Sequence, residues 1–255
     1  MTKISLKKIS SLKKNNKGIA SLTAYDASFA KIIDNCGIDI ILVGDSLGEV
    51  IQGNKNTHSV TLSEIAYHTK IVSKGIDRAY LISDMPKHTY QKPKQAIQNA
   101  NLLIKKSGAD MVKIECNNKN LNIIKALSEK NIPVCGHIGL TPQFILKKSQ
   151  FRKFGVKKAE HNMLVEQAML VEEAGAKILI VECVSEKTGL EISSNLKIPV
   201  IGIGSGKFCD GQILVLYDLL GISFNGIPKF FNQGYLKLNK FTDRIKKFIK
   251  DSKNT

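Results

Sequence analysis

Arginine is nearly missing from this chain: Arg78, Arg152 and Arg244 stand among 38 basic residues, in 255 residues with a formal net charge of +16. A positive field of that size would suit a phosphate backbone, but bidentate recognition of phosphate and guanine favours the planar guanidinium. Lysine spread along the chain with Asn and Ile reads as compositional bias, and no nucleic-acid partner is expected. Paired cysteines are missing too. Cys36, Cys116, Cys135, Cys183 and Cys209 are odd in number, without a CxxC pair or zinc-like spacing, so reduced and mostly buried thiols are expected. Met1 to Lys17 carries lysines but no long apolar stretch. Neither a signal peptide nor a membrane span is expected, and the expected compartment is the cytoplasm. No linker rich in Pro, Gly or Ser divides the sequence, so residues 1–255 read as one domain, ending in a basic polar tail, about 243–255, that frays.

Hydrophobic residues make up 43% and charged residues 24%, ordinary values for a folded domain, and the length suits an α/β barrel. Short apolar runs alternate with helical segments, as in a parallel sheet whose strands are buried on both faces. Seven runs read as strands: Ile19 to Ala24, Asp39 to Val43, Ala79 to Ser83, Asp110 to Ile114, Ile132 to Gly136, Lys177 to Val181 and Pro199 to Ile203. Closing a barrel needs an eighth, and Gln212 to Tyr217 reads equally well as that strand or as a helix. Helical periodicity covers Ser63 to Lys74, Lys94 to Lys106, Lys119 to Lys130 and Glu160 to Ala174. Gly37-Ile38-Asp39, Gly108-Ala109-Asp110 and Gly175-Ala176-Lys177 each put glycine and a polar residue before an apolar run, as where a helix stops and turns into a strand. The expected fold is a parallel (β/α)8 TIM barrel.

In such barrels the reactive groups sit at the carboxyl ends of the strands, and there this sequence is acidic: Asp45 and Ser46 in VGDSLG, Asp84 in ISDMP, Lys113 and Glu115 in VKIE, His137 in GHIG, Glu182 in IVEC. Four carboxylates at one mouth repel unless protons or a cation compensate. Asp45, Asp84 and Glu115 are hard oxygen donors suited to Mg²⁺ with retained waters and substrate oxygens; singly, each would serve as well as a helix cap. Glu182, beside apolar neighbours, reads as a general base or as a surface pair with Lys177 or Lys187. Alternation turns Lys113 and Glu115 towards the barrel interior, where the ammonium needs either Glu115 or an anionic substrate as partner. His137 reads as ligand, relay or core histidine. Gly202 to Gly206, GIGSG, is a weak phosphate-loop signal. His58, His68, His88 and His161 lack metal-ligand spacing.

TAYDASFA at Thr23, VGDSLG at Val43, YHTK at Tyr67, SDMP at Ser83, VKIE at Val112, GHIGLTPQ at Gly136, IGIGSG at Ile201 and CDGQILVLYDLLG at Cys209 follow one another in an order that resembles the ketopantoate hydroxymethyltransferase family. The resemblance implies that Asp45, Asp84 and Glu115 arrange Mg²⁺, with Glu115 acting through water, that Asp45, Ser46, Asp84 and Lys113 hold a keto acid, and that Glu182 is the proton acceptor. His137 stands behind them. It also implies 3-methyl-2-oxobutanoate and 5,10-methylenetetrahydrofolate as substrates, 2-dehydropantoate as product, and a large homo-oligomer. Three departures from the family pattern lie in loops expected to touch the barrel mouth: Lys87 after Asp84-Met85-Pro86, Cys116-Asn117 after VKIE, and Phe144 to Gly155. The phosphoenolpyruvate mutase and isocitrate lyase group also handles Mg²⁺-bound 2-oxo acid enolates, but its lyases carry a KKCGH-like cysteine loop that is not found here.

Overall fold

In the computed structural model, which describes residues 2–145 and 150–254, the apolar runs become eight parallel strands closed into a barrel. They are β1 Ile19–Thr23, β2 Ile40–Val43, β3 Tyr80–Asp84, β4 Met111–Glu115, β5 Val134–Gly139, β6 Ile178–Glu182, β7 Val200–Ile203 and β8 Gly211–Leu214. Helices α1 Leu6–Lys14, α2 Ala27–Asn35, α3 Leu47–Val50, α4 Leu62–Ser73, α5 Pro93–Asn101, α6 Leu121–Glu129, α7 Lys158–Glu173, α8 Glu186–Asn195, α9 Leu216–Leu220 and α10 Phe241–Lys253 surround them. A π-helical turn, Leu102–Lys106, extends α5. No helix among the described residues is long and apolar enough to cross a membrane.

The continuous apolar runs are explained by a core in two shells. Ile40, Leu42, Ile82, Met111, Ile178, Ile180, Ile201 and Ile213 fill the barrel, while Leu22, Ile41, Leu81, Val112, Ile114, Leu179 and Val181 pack outward beneath the helices. Strand alternation sends successive residues to opposite shells. Ile9 of α1 belongs to the inner shell and is fully buried, with Ile4, Leu6 and Leu12 packed beside it.

The glycine cue works as backbone chemistry. Gly37, Gly108 and Gly175 have φ of +92°, +88° and +109°, the left-handed geometry that ends a helix. Two of the polar residues that follow then tie neighbouring strands: Asp39 Oδ2 accepts from the Ala20 N–H at 3.1 Å and Asp110 Oδ2 from the Leu81 N–H at 2.9 Å.

Two expectations change. QILVLY divides: Gly211–Leu214 is β8, and after Val215 the chain turns into α9, where the Leu216 N–H donates to Thr23 Oγ1 at 3.0 Å. Gly211 permits closure, since a Cβ there would lie 2.4 Å from the Ile19 carbonyl oxygen. The expected fraying tail is instead α10. Ile245, Phe248 and Ile249 are buried, and Gly18 lies so close to the helix that a Cβ would come within 2.0 Å of the Ser252 carbonyl oxygen. Apolar spacing of i, i+3 and i+4 inside a lysine-rich segment carries the helix, each large side chain contributing about 1.5–3 kcal/mol of burial.

Candidate active site

Asp84, Lys113, Glu115, His137 and Glu182 lie on strands, while Asp45 and Ser46 lie in the turn after β2. Met111, Lys113 and Glu115 share the inner side of β4, and the register sets Asp84 beside Lys113, Glu115 beside His137, and Glu182 beside Ile203. One cavity of about 760 Å³ is lined by Asp45, Ser46, Asp84, Lys113, Glu115, His137 and Glu182 together.

Lys113 and Asp84, 4% and 1% exposed, form an ion pair at 2.5 Å. The partner left open between Glu115 and a substrate is therefore Asp84, one strand away in register. Burial opposes the ammonium, yet Asp84, Asp45 and Glu115 outweigh it and hold Lys113 charged. Asp84 Oδ2 also accepts from the Asp45 N–H at 3.1 Å, which fixes the two carboxylates side by side.

Glu115 is fully buried, and burial lifts it to about 7 against the pull of His137. The Gln143 N–H donates to its Oε2 at 3.0 Å, and His137 Nδ1 lies 3.7 Å from Oε1. The other ring nitrogen of His137 is 3.2 Å from Glu182 Oε2. Burial and Lys113 hold the ring below its ordinary value, favouring the neutral imidazole. Glu182 pairs with neither Lys177 nor Lys187; burial pushes it up to about 8, with Lys113 lowering it and Asp45 adding to the rise. It stands next to Cys183, which adopts φ of +51°, a conformation uncommon for a residue with a Cβ.

Asp45, Asp84 and Glu115 present only oxygen. Asp84 Oδ1 faces the Lys113 ammonium, while Glu115 Oε1 is buried without a hydrogen bond among the described residues. Among the described residues no three His, Cys, Asp or Glu side chains form a ready-made metal cage. Mg²⁺ needs none, since it is commonly held by one or two carboxylates and completes its octahedron with water and substrate oxygens. The donor set fits that ion.

Four residues of the site escaped the sequence reading. Gln143, fully buried, donates from Nε2 to Asp45 Oδ2 at 2.9 Å and to the Met85 carbonyl at 3.1 Å, and accepts from the Tyr90 hydroxyl at 2.6 Å. The Tyr25 hydroxyl lies 2.8 Å from Ser46 Oγ. Glu49 and Asp218 also line the cavity. Glu49 lies on α3, four residues after Asp45 in the turn that precedes it, and that closeness in sequence was the signal available. Asp218 carried none, because its place depends on QILVLY dividing.

The remaining expectations divide. GIGSG leads into β8 with no helix start behind it; its Ile203 and Gly204 line the cavity, while Ser205 packs inward, donating to the Val181 carbonyl at 2.8 Å. Neither Lys87 nor Cys116 lines the cavity; Cys116 is buried in the outer shell. Of Phe144 to Gly155, Phe151, Arg152 and Lys153 line the cavity, while 146–149 lie outside the described residues. His58, His68 and His161 are engaged elsewhere, with the Pro142 carbonyl, the Tyr25 carbonyl and Thr188 respectively. Cys116, Cys135 and Cys209 are buried, Cys36 and Cys183 half-buried, and all five are free thiols.

The sequence matches the model of the ketopantoate hydroxymethyltransferase family over residues 3–255. The chain belongs to that family. As a ketopantoate hydroxymethyltransferase family member it is an enzyme that transfers a hydroxymethyl group. It is 45% identical over 98% of its length, and 94% of the relative's, to a 3-methyl-2-oxobutanoate hydroxymethyltransferase of Buchnera aphidicola. It is 44% identical to one of Shewanella, covering all of this chain and 96% of that one. Among solved structures it is similar to a phosphoenolpyruvate phosphomutase from Streptomyces platensis, with TM-score 0.64 and 12% identity over 85% of this chain and 83% of that one. A phosphonopyruvate hydrolase complexed with oxalate and Mg²⁺ has TM-score 0.59 and 13% identity over 80% and 72%. At these identities the likeness is one of fold.

Proposed function

We propose that this family member transfers the one-carbon unit of 5,10-methylenetetrahydrofolate to 3-methyl-2-oxobutanoate, giving 2-dehydropantoate on the route to pantothenate. The observation that carries the reading is the arrangement of Glu182, lifted to about 8 by burial, in the same cavity as the buried Asp84–Lys113 pair. Asp45 and Asp84, with Glu115 at one remove through water, would hold Mg²⁺. The ion supplies Lewis acidity, polarising the substrate's keto group so that its C3 proton becomes acidic. Lys113 faces the substrate carboxylate, and Ser46, bonded to Tyr25, bonds a substrate oxygen. Glu182 takes the C3 proton, and His137 beside it fixes its orientation. The resulting enolate carbon then attacks the methylene carbon. Overall one carbon–carbon bond forms, the methylene leaves both folate nitrogens, and water supplies the hydroxyl oxygen.

Incubation with Mg²⁺ and 3-methyl-2-oxobutanoate in D₂O, without folate, tests the base directly. NMR is expected to record loss of the C3 proton signal with the wild type and no loss with Glu182→Gln. Exchange that survives the substitution removes Glu182 from the role.

A further inference from the structure

Glu49 and Asp218 face the reaction cavity from α3 and α9, outside the chemistry assigned to Glu182. Asp218 is 6% exposed; Ser223 Oγ donates to its Oδ1, and Oδ2 has no hydrogen bond among the described residues. Glu49 is half-buried, and its carboxylate has neither a hydrogen bond nor a cation beside it among the described residues. Burial lifts Glu49 to about 7, with Asp45, Glu182 and Asp218 adding to the rise, and lifts Asp218 to about 6. Around them Val50, Leu214, Ile227 and Phe230 give the cavity an apolar wall. Carboxylates set in such a wall are costly until N–H donors reach them.

The cavity is also larger than a small keto acid needs: about 760 Å³, when pockets of about 300–1,000 Å³ enclose drug-sized ligands. Over this part of it the loop at 223–230 is latched to the segment after α3. Asn225 Nδ2 donates to the Asn54 carbonyl at 2.7 Å, and Phe224 covers Gly53 so closely that a Cβ there would meet the ring at 3.2 Å. The cavity therefore has room for a second molecule, and carboxylates set in an apolar wall call for one that brings N–H donors.

We propose that Asp218 and Glu49 form the subsite for the pterin head of the one-carbon donor, Asp218 accepting from the adjacent 2-amino and N3–H groups and Glu49 from N8–H. This rests on the folate reading above. The 2-amino and N3–H groups form a fork that a carboxylate accepts as it accepts a guanidinium, and the ring faces lie along Val50 and Ile227. With the head held there, the methylene carbon is carried towards the enolate within one continuous cavity.

Calorimetric titration of wild type, Asp218→Asn and Glu49→Gln tests it, with 6-methyltetrahydropterin as a head-only probe and p-aminobenzoylglutamate as a tail-only probe. The head probe is expected to bind the wild type and to weaken at least tenfold in each variant, while the tail probe binds all three alike. Head-probe affinity unchanged in both variants, or both probes weakening together, overturns the subsite. Wild-type deuterium exchange run alongside separates the two readings. Exchange without binding of the head probe defeats the subsite and leaves Glu182 as base; head-selective binding without exchange defeats the base and supports the subsite.

Discussion

Gln143 touches Asp45, the Met85 carbonyl and Tyr90 through its side chain and Glu115 through its backbone, so one neutral residue sets the spacing of two acids. Gln143→Leu removes the side-chain donors and acceptor and leaves buried polar groups without partners. It is expected to cost about 2–3 kcal/mol, read from urea unfolding, and to weaken Mg²⁺ binding roughly tenfold or more, as changes behind metal ligands do, read by titration calorimetry. Glu182 gives a second prediction at this scale. A base lifted to about 8 is mostly protonated and idle below that value, so exchange should rise with pH up to about 8 and level off above it. Because a cation stabilises a nearby carboxylate, more Mg²⁺ should move the midpoint downward. A flat profile from pH 6 to 9 would show that another group takes the proton. Asp45, Asp84, Lys113, Glu115 and Glu182 were legible because each ends an apolar run. Gln143 was not, because its value lies wholly in partners from three other parts of the chain.

Strand closure depends on Gly211. A side chain there meets the Ile19 carbonyl at 2.4 Å, where the eighth strand joins the first. Gly211→Ala is expected to destabilise by about 1–3 kcal/mol, the usual cost of overpacking, and circular dichroism melts would register it; an unchanged melting temperature would mean that the seam can widen freely. At the other edge of legibility is α10. Its lysines suggest a solvated tail, while Phe248, 3% exposed, holds the helix to the barrel. Phe248→Ala should cost about 3–5 kcal/mol, whereas a frayed tail would lose almost nothing. Seven strands could be read because strands covered on both faces are apolar throughout. The eighth could not, because QILVLY remains apolar while it passes from strand into helix.

Across the whole molecule, acids held above their ordinary value of 4.5, Glu115 at about 7 and Glu182 at about 8, link stability to pH. Between about 4.5 and 8 the folded state binds more protons at these groups than the unfolded chain, so their contribution to stability falls as pH rises. Melting temperature without divalent ions is expected to fall from pH 5 to 8, with a smaller fall in Glu182→Gln, and Mg²⁺ should restore it by binding the native state. The family resemblance implies a homo-oligomer, and Tyr67, Val156, Met163 and Met169 are among the exposed side chains that would be available to one. Light scattering should return a multiple of 28.1 kDa; a monomer mass would end that expectation. The sequence by itself determined the alternation of strand and helix and the acids at the strand ends, since both follow from local periodicity and from side chains that repeat every two residues along a strand. Only the tertiary structure decided that Asp84 pairs with Lys113, that Gln143 ties the acids together, and that Glu49 and Asp218 share their cavity. Those contacts are made across the barrel or between neighbouring strands, where register and closure, rather than spacing along the chain, bring side chains within reach.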